Sequence, residues 1–242
     1  MTKQRADRLL VARGLFESRA RAQAAIAAGR VSVDGVRLRK AAEEISPTAV
    51  IEAQPEHPYV SRGGVKLAFA LDHFAVDVKG RVCLDVGAST GGFTEVLLQR
   101  GARRVYAVDV GRDQLHSRLR GRGDLVSIEA TDVRTLDPSR LSEPPDLAAV
   151  DVSFISLKLV VPAIETLLER RATLLALIKP QFEAGRRAVK KGVVRDASVH
   201  AAVCAQIGGF LAARGWRLDG IAPSPIPGGE GNREFFVGAR RG

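Results

Sequence analysis

Apolar residues Ala6, Leu9 and Leu10 recur at helical spacing among Arg5, Arg8 and Arg13, and Gly14 offers a left-handed stop, which predicts a short amphipathic helix over 5–13. A second helix is expected over Arg19–Ala28: Ser18 can cap it, Ala20, Ala24, Ile26 and Ala27 give it an apolar side, and Gly29 ends it. The period then falls to two. Val31-Ser32-Val33 and Val36-Arg37-Leu38 alternate on either side of Asp34-Gly35, a pair suited to a two-residue hairpin turn, and Ala49-Val50-Ile51 can add a third strand. Pro55 and Pro58 forbid helix and favour an extended link, so a small α+β domain is expected over 1–55, a linker over 56–61 and a larger domain over 62–242. Tyr59 is either a docking side chain or a plain linker aromatic.

From residue 82 the pattern becomes continuous apolar runs separated by helix-like segments. Val82–Val86, Val105–Val108, Val126–Ile128, Leu147–Val150 and Leu174–Ile178 read as buried strands; Phe93–Gln99, Leu157–Leu168 and His200–Arg214 read as helices. That alternation predicts an α/β, Rossmann-like, mostly parallel sheet with right-handed crossovers. Trp216–Ile221 and Glu234–Ala239, joined by Pro- and Gly-rich residues, are expected to add antiparallel strands at one end.

Charge adds a partner to this picture. The chain carries 37 Lys+Arg against 27 Asp+Glu, a formal charge of +10, and ten of the basic residues fall within 1–40 against Asp7, Glu17 and Asp34. A polyanionic partner bound through the N-terminal domain follows, with a basic but unengaged surface as the alternative. Cys83 and Cys204 are far apart without His neighbours, so they read as buried thiols, and neither a disulfide framework nor a metal site is expected. No apolar run approaches the roughly 18–20 residues that span a bilayer, and the first residues lack a signal-peptide core, so a cytoplasmic protein without membrane contact is expected.

In a doubly wound sheet ligands bind at the carboxyl ends of the strands, and the first crossover here is Asp85-Val86-Gly87-Ala88-Ser89-Thr90-Gly91-Gly92-Phe93-Thr94. Its glycines allow close backbone approach to a ligand. Asp85 can meet the ammonium of a methionine moiety, Asp109 at the second strand end can accept from two ribose hydroxyls, and Asp132 after the third can contact an adenine edge. A dinucleotide is the competitor, but its loop needs Gly-x-Gly-x-x-Gly, and Gly87–Gly92 lacks the second glycine. The acidic residues therefore favour S-adenosylmethionine.

Four polar residues fall at element ends around the same opening: Lys66, Asp151, Lys179 and Glu234. Singly, each suits a surface helix, a cap, an ion pair or an edge strand. Together they suit methyl transfer to a hydroxyl, which needs a group to take the proton or hold the developing alkoxide while aligning it with the methyl carbon. Lys179 would serve that role, Asp151 would orient it and Glu234 would position Lys66, with no metal required. Glu230 rivals Glu234, which is preferred because it begins a strand.

The N-terminal motifs Arg8-Leu9-Leu10, Gly14–Arg19, Ala22, Ile26, Gly29–Gly35 and Lys40 resemble the RNA-binding domain named after small-subunit ribosomal protein four. The resemblance implies that Arg5, Arg8, Arg19, Arg21, Arg30 and Lys40 face structured RNA, reading backbone shape more than sequence. Ser61–Leu67, Asp85–Thr94, Asp151–Ser156, Lys179–Glu183 and Gly231–Phe236, in that order, resemble the TlyA family, in which such a domain precedes a methyltransferase similar to FtsJ. It implies a class I methyltransferase fold and cytidine 2′-O-methylation of ribosomal RNA, with Lys66, Asp151, Lys179 and Glu234 as the catalytic tetrad. The chain departs from some relatives in its linker, His57-Pro58-Tyr59-Val60, and in stopping soon after Phe236, which points to large-subunit RNA with small-subunit RNA as the second candidate. A monomer acting on ribosomal RNA or ribosomal subunits is expected. The family has also carried a haemolysin label, for which the sequence offers no spanning segment or long basic amphipathic helix.

Overall fold

The computed structural model describes residues 2–242 and divides them into two compact units, one ending at Pro58 and one spanning Tyr59–Gly242. In the first, β1 (Gln4–Arg5) leads into α1 (Ala6–Ala12), followed by α2 (Arg19–Ala27), β2 (Val31–Val33), β3 (Val36–Arg37), β4 (Glu44–Ile45) and β5 (Ile51–Ala53). Strands β3, β2 and β5 form an antiparallel sheet in that order, and β1 pairs with β4. Asp34 and Gly35 both take positive φ, 50° and 77°, as the hairpin turn demands. Ser18 caps α2 by accepting from Arg21 N. Leu9, Leu10, Phe16, Ala22, Ile26, Val31, Leu38 and Ile45 close a small core. The third strand of the sheet runs over 51–53 rather than 49–51, because Ala49 turns inward and Val50 N is held by the Asp34 side chain before pairing begins.

The second unit opens with α3 (Arg62–His73), then β6 (Val82–Val86), α4 (Gly92–Gln99), β7 (Arg104–Val108), β8 (Leu125–Ile128), β9 (Leu147–Val150), α5 (Leu157–Leu167), β10 (Ala172–Ile178), the single turn α6 (Pro180–Glu183), α7 (Ala197–Ala213), β11 (Arg217–Pro223) and β12 (Phe235–Arg241). These strands make one seven-stranded sheet in the order β11-β12-β10-β9-β6-β7-β8. The five from β10 to β8 are parallel, β12 alone runs against them beside β10, and β11, antiparallel to β12, runs with the five. β12 lies inside the sheet, between β10 and β11, so the last stretch of chain is a core strand and not an edge.

Every residue of β6, β9 and β10 is buried, which is why these strands read as unbroken apolar runs. One face is covered by a layer containing Val160, Ile164, Val203, Ile207 and Leu211, the other by Leu67, Leu71, Phe93, Val96 and Leu97. Tyr59 and Val60, expected in the linker, pack with the large unit: Val60 is buried and its N–H donates to the buried Glu95 at 2.6 Å. Cys83 is buried as expected, whereas Cys204 is only partly so, because it lies at the margin of the α7 face that packs on the sheet. Among the described residues no helix is long and apolar enough to cross a membrane.

Candidate active site

Strand order places β6 between β9 and β7, so the chain leaves the sheet in opposite directions on the two sides of β6 and opens a crevice at the carboxyl ends. A cleft of about 960 Å³ lies there, lined among others by Gly87, Ser89, Asp109, Asp132, Asp151 and Phe154. Gly87 takes φ +86°, and a Cβ on it would stand 2.5 Å from the Asp151 carbonyl oxygen, so only glycine lets the β6 loop pass the end of β9.

The loop residues divide into two groups. Gly87, Ser89 and the strand-end carboxylates Asp109 and Asp132 border the cleft. Asp85, Ala88, Gly91, Gly92, Phe93 and Thr94 are buried, and Thr90 is half-buried. Asp85, expected to meet an ammonium, is not among the residues lining the cleft. It is fully buried, because it lies within β6 and points into the packed layer where Thr94 Oγ1 donates to its Oδ2 at 2.6 Å. Its Oδ1 is buried without a hydrogen-bond partner in the protein. Burial pushes the Asp85 carboxyl up to about 7; the Thr94 hydrogen bond works against that, while the charges of Asp151 and Asp109 add to it. Three carboxylates therefore share one corner, of which Asp151 is paired with Lys179.

Asp109 receives two backbone N–H groups, Ser89 N on Oδ2 at 2.8 Å and Gly111 N on Oδ1 at 2.7 Å, which ties the first loop to the second. Asp132 caps the turn that follows it and holds Arg134 at 2.5 Å, and that hydrogen-bonded guanidinium keeps its carboxyl below the ordinary range. Glu129, to which sequence reasoning gave no role, accepts from the N–H groups of Asp113, Gln114 and Leu115 and so fixes the loop carrying Gln114 into the cleft lining.

Lys66, Asp151, Lys179 and Glu234 arrive as two ion pairs. Lys179 Nζ lies 2.6 Å from Asp151 Oδ1 and donates to Ser153 Oγ at 2.8 Å. Lys66 Nζ donates to Glu234 Oε2 at 2.5 Å, with side-chain exposures of 10% and 3%. Sheet register explains the assembly. Val86 pairs with Val150, Val150 with Ala176 and Ile178 with Phe235, so Gly87, Asp151, Lys179 and Glu234 emerge side by side at the rim of four adjacent strands. Glu234 lies one residue before β12 rather than within it. Gly228 accommodates its carboxylate, since a Cβ there would sit 2.0 Å from Glu234 Oε1. Glu230 is exposed and forms no part of these pairs.

Sequence reasoning quoted Asp151–Ser156 as a motif but gave Ser153 and Phe154 no task. Phe154 is 91% exposed and takes φ 63°, a costly conformation for an aromatic residue, with its ring 4.9 Å from that of Phe182. The segment is anchored at its far end by Glu183, which accepts from Ser156 Oγ at 2.6 Å and Leu157 N at 2.7 Å. In the first unit Arg8, Arg19, Arg30 and Lys40 are exposed, whereas Arg5 and Arg21 are half-buried. Among the described residues no group of His, Cys, Asp and Glu side chains is arranged to hold a metal.

Residues 59–241 match the FtsJ-like methyltransferase family and residues 4–51 the S4 domain. The chain is 47% identical to YqxC of Bacillus subtilis strain 168, over 97% of this chain and 85% of that one. It is 44% identical to the 16S/23S rRNA (cytidine-2′-O)-methyltransferase TlyA of Mycobacterium tuberculosis, over 98% of this chain and 90% of the other. A solved structure from Streptococcus thermophilus, titled as a hemolysin, superposes with a TM-score of 0.78 at 42% identity, covering all of this chain and 89% of that one.

Proposed function

The chain belongs to the TlyA family of FtsJ-like rRNA methyltransferases, and we propose that it moves a methyl group from S-adenosylmethionine to the 2′-hydroxyl of a cytidine in ribosomal RNA. The observation that carries this reading is that Asp151, which lines the cleft together with Gly87, Ser89 and Asp109, is ion-paired to Lys179.

The corner holding Asp85, Asp109 and Asp151 fits a cationic ligand: one buried carboxylate oxygen lacks a partner, and the clustered negative charge would repel the pyrophosphate of a dinucleotide. Gly87 and Ser89 would pass along the ligand, Asp109 would accept from its ribose hydroxyls, and Asp132 would stand at the base. S-adenosylmethionine, when bound, supplies an electrophilic methyl group on a positively charged sulfur. The protein's task is then to align a weak nucleophile and to hold its charge.

Lys179 is suited to that task, fixed by Asp151 and Ser153 so that its ammonium meets the acceptor oxygen without reorganising. As the acceptor hydroxyl receives the methyl group it would release its proton to solvent water, and the Lys179 ammonium would hold the negative charge developing on that oxygen. Lys66 and Glu234, nearly dry, would hold the start of β12 against the end of β10, the strand that leads into Lys179. Phe154, exposed at the cleft mouth with its backbone held in a left-handed conformation, offers a face on which the acceptor's base stacks once it leaves its helix. The basic first unit supplies affinity for the RNA backbone.

The deciding experiment incubates the protein with labelled S-adenosylmethionine and separated small and large ribosomal subunits, then maps the modified nucleotide. Methyl groups on cytidine ribose, lost with Lys179→Ala, are expected. Label on a base, or undiminished transfer by the variant, would overturn the assignment.

A further inference from the structure

Arg5 ends β1 and Arg19 opens α2, yet both guanidinium groups close on the single carboxylate of Asp7. Arg5 donates through Nε to Oδ1 and through Nη2 to Oδ2, each at 3.2 Å. Arg19 donates through Nε and Nη2 to Oδ2 at 3.2 and 2.8 Å, and Gln23 Nε2 reaches the same oxygen at 2.8 Å. The Asp7 side chain is fully buried, whereas those of Arg5 and Arg19 remain 41% and 48% exposed. The two guanidinium groups hold the Asp7 carboxyl well below the usual carboxylate range, so it stays charged at any pH at which the protein works.

Each arginine thus commits the same edge of its fork to Asp7, leaving its Nη1 donors without a hydrogen bond among the described residues. Two half-exposed cations converge on one oxygen, and the cluster of two positive charges and one negative keeps a net charge of +1. Long arginine side chains otherwise lose much rotamer freedom on binding, and here that freedom is already gone.

We propose that Asp7 is a positioning residue for nucleic-acid recognition: it presents Arg5 and Arg19 as a fixed pair of guanidinium forks for a backbone phosphate of structured RNA. The inference rests on the rRNA-methyltransferase reading above, and it separates organisation from charge. Asp7 is the wrong sign for an RNA partner, so simple electrostatics predicts that removing it tightens binding. Positioning predicts the reverse.

The test measures binding of the full chain to a protein-free 23S rRNA transcript across a salt series, together with methyl transfer to isolated ribosomal subunits. Asp7→Asn, which keeps the shape and removes the charge, should weaken binding about tenfold, the scale of losing one charge-assisted contact. KM for RNA should rise while affinity for S-adenosylmethionine stays unchanged. Equal or tighter RNA binding by Asp7→Asn overturns the proposal. Should that variant unfold the first unit in a circular-dichroism melt, Arg19→Lys decides: it keeps the charge but not the fork, and wild-type affinity in it overturns the proposal, whereas a comparable loss supports it. Absence of RNA binding and methylation by the wild type would instead strike the functional reading itself.

Discussion

Lys66 and Glu234 lie 168 positions apart in sequence, yet their charged atoms meet at 2.5 Å in a nearly dry pocket. Removing one partner leaves the other charge buried and alone, so Lys66→Met and Glu234→Leu should each destabilise the large unit by about 3–5 kcal/mol. The double variant should recover most of that stability and none of the methyl transfer. Chemical denaturation of the three variants checks the first statement and an activity assay the second; a double variant as unstable as the singles would remove the ion pair as the cause.

Lys179 contributes less to folding, since the carboxylate its loss would leave unpaired, Asp151, is 20% exposed and lines the open cleft, where water can solvate it. Lys179→Ala should leave the melting temperature within a few degrees of wild type and reduce kcat about 10²- to 10⁴-fold, with binding of S-adenosylmethionine retained. Ser153→Ala, which removes only the hydroxyl accepting from Lys179, should cost about tenfold. Rates measured at saturating RNA separate these losses from any change in RNA affinity.

Asp85 links the cofactor corner to pH. Its native pKa, raised to about 7, lies above an unfolded value near 3.8, so the native state binds the extra proton between them. Stability of the ligand-free protein should therefore fall as pH rises from about 4 to 7, this group contributing about 4 kcal/mol of the change, and level off above that. A cationic ligand favours the ionised form, so S-adenosylmethionine should bind more tightly as pH rises through the same window and should release a proton on binding near pH 6.5. Calorimetry in buffers of different ionisation enthalpy measures that proton; none released by the wild type, or as many by Asp85→Asn, would count against Asp85 as its source.

Phe154 is almost wholly exposed, so Phe154→Ala should not lower stability. If the ring stacks on the acceptor base, the same change should lower kcat/KM for RNA about tenfold to a hundredfold, equivalent to about 1–3 kcal/mol of stacking. Phe154→Tyr, which keeps the ring, should retain most of it.

Much of this molecule was legible because two signals coincide in its sequence. Unbroken apolar runs mark strands buried on both faces, and the polar residues that end them, Asp109, Asp151 and Lys179, stand at the rim where a parallel sheet binds ligands. Helix α3 has no clear signature in the sequence, since Gly63 and Gly64 at its start lower helix propensity. They serve packing instead: a Cβ on Gly64 would stand 2.3 Å from the Tyr59 ring, and one on Gly92 of α4 would reach Gly64 N at 3.0 Å. The two-residue strands β1 and β4 are too short to leave a periodic trace. Composition could not show that Asp85 is sealed while Asp109 faces the cleft, since depth is set by Thr94 and the surrounding layer. The preference for Glu234 over Glu230 rested on its place at the head of a strand, and the path of the chain around Gly228 is what brings its carboxylate to Lys66.

The insertion of β12 between β10 and β11 also sets an order of events. A chain made from its N-terminus delivers its S4 unit first and its other sheet strands next, and Lys66 waits without its partner until the segment bearing Glu234 is synthesised. Until that segment takes its place, β11 has no neighbour to pair with and Lys66 lacks its counter-charge.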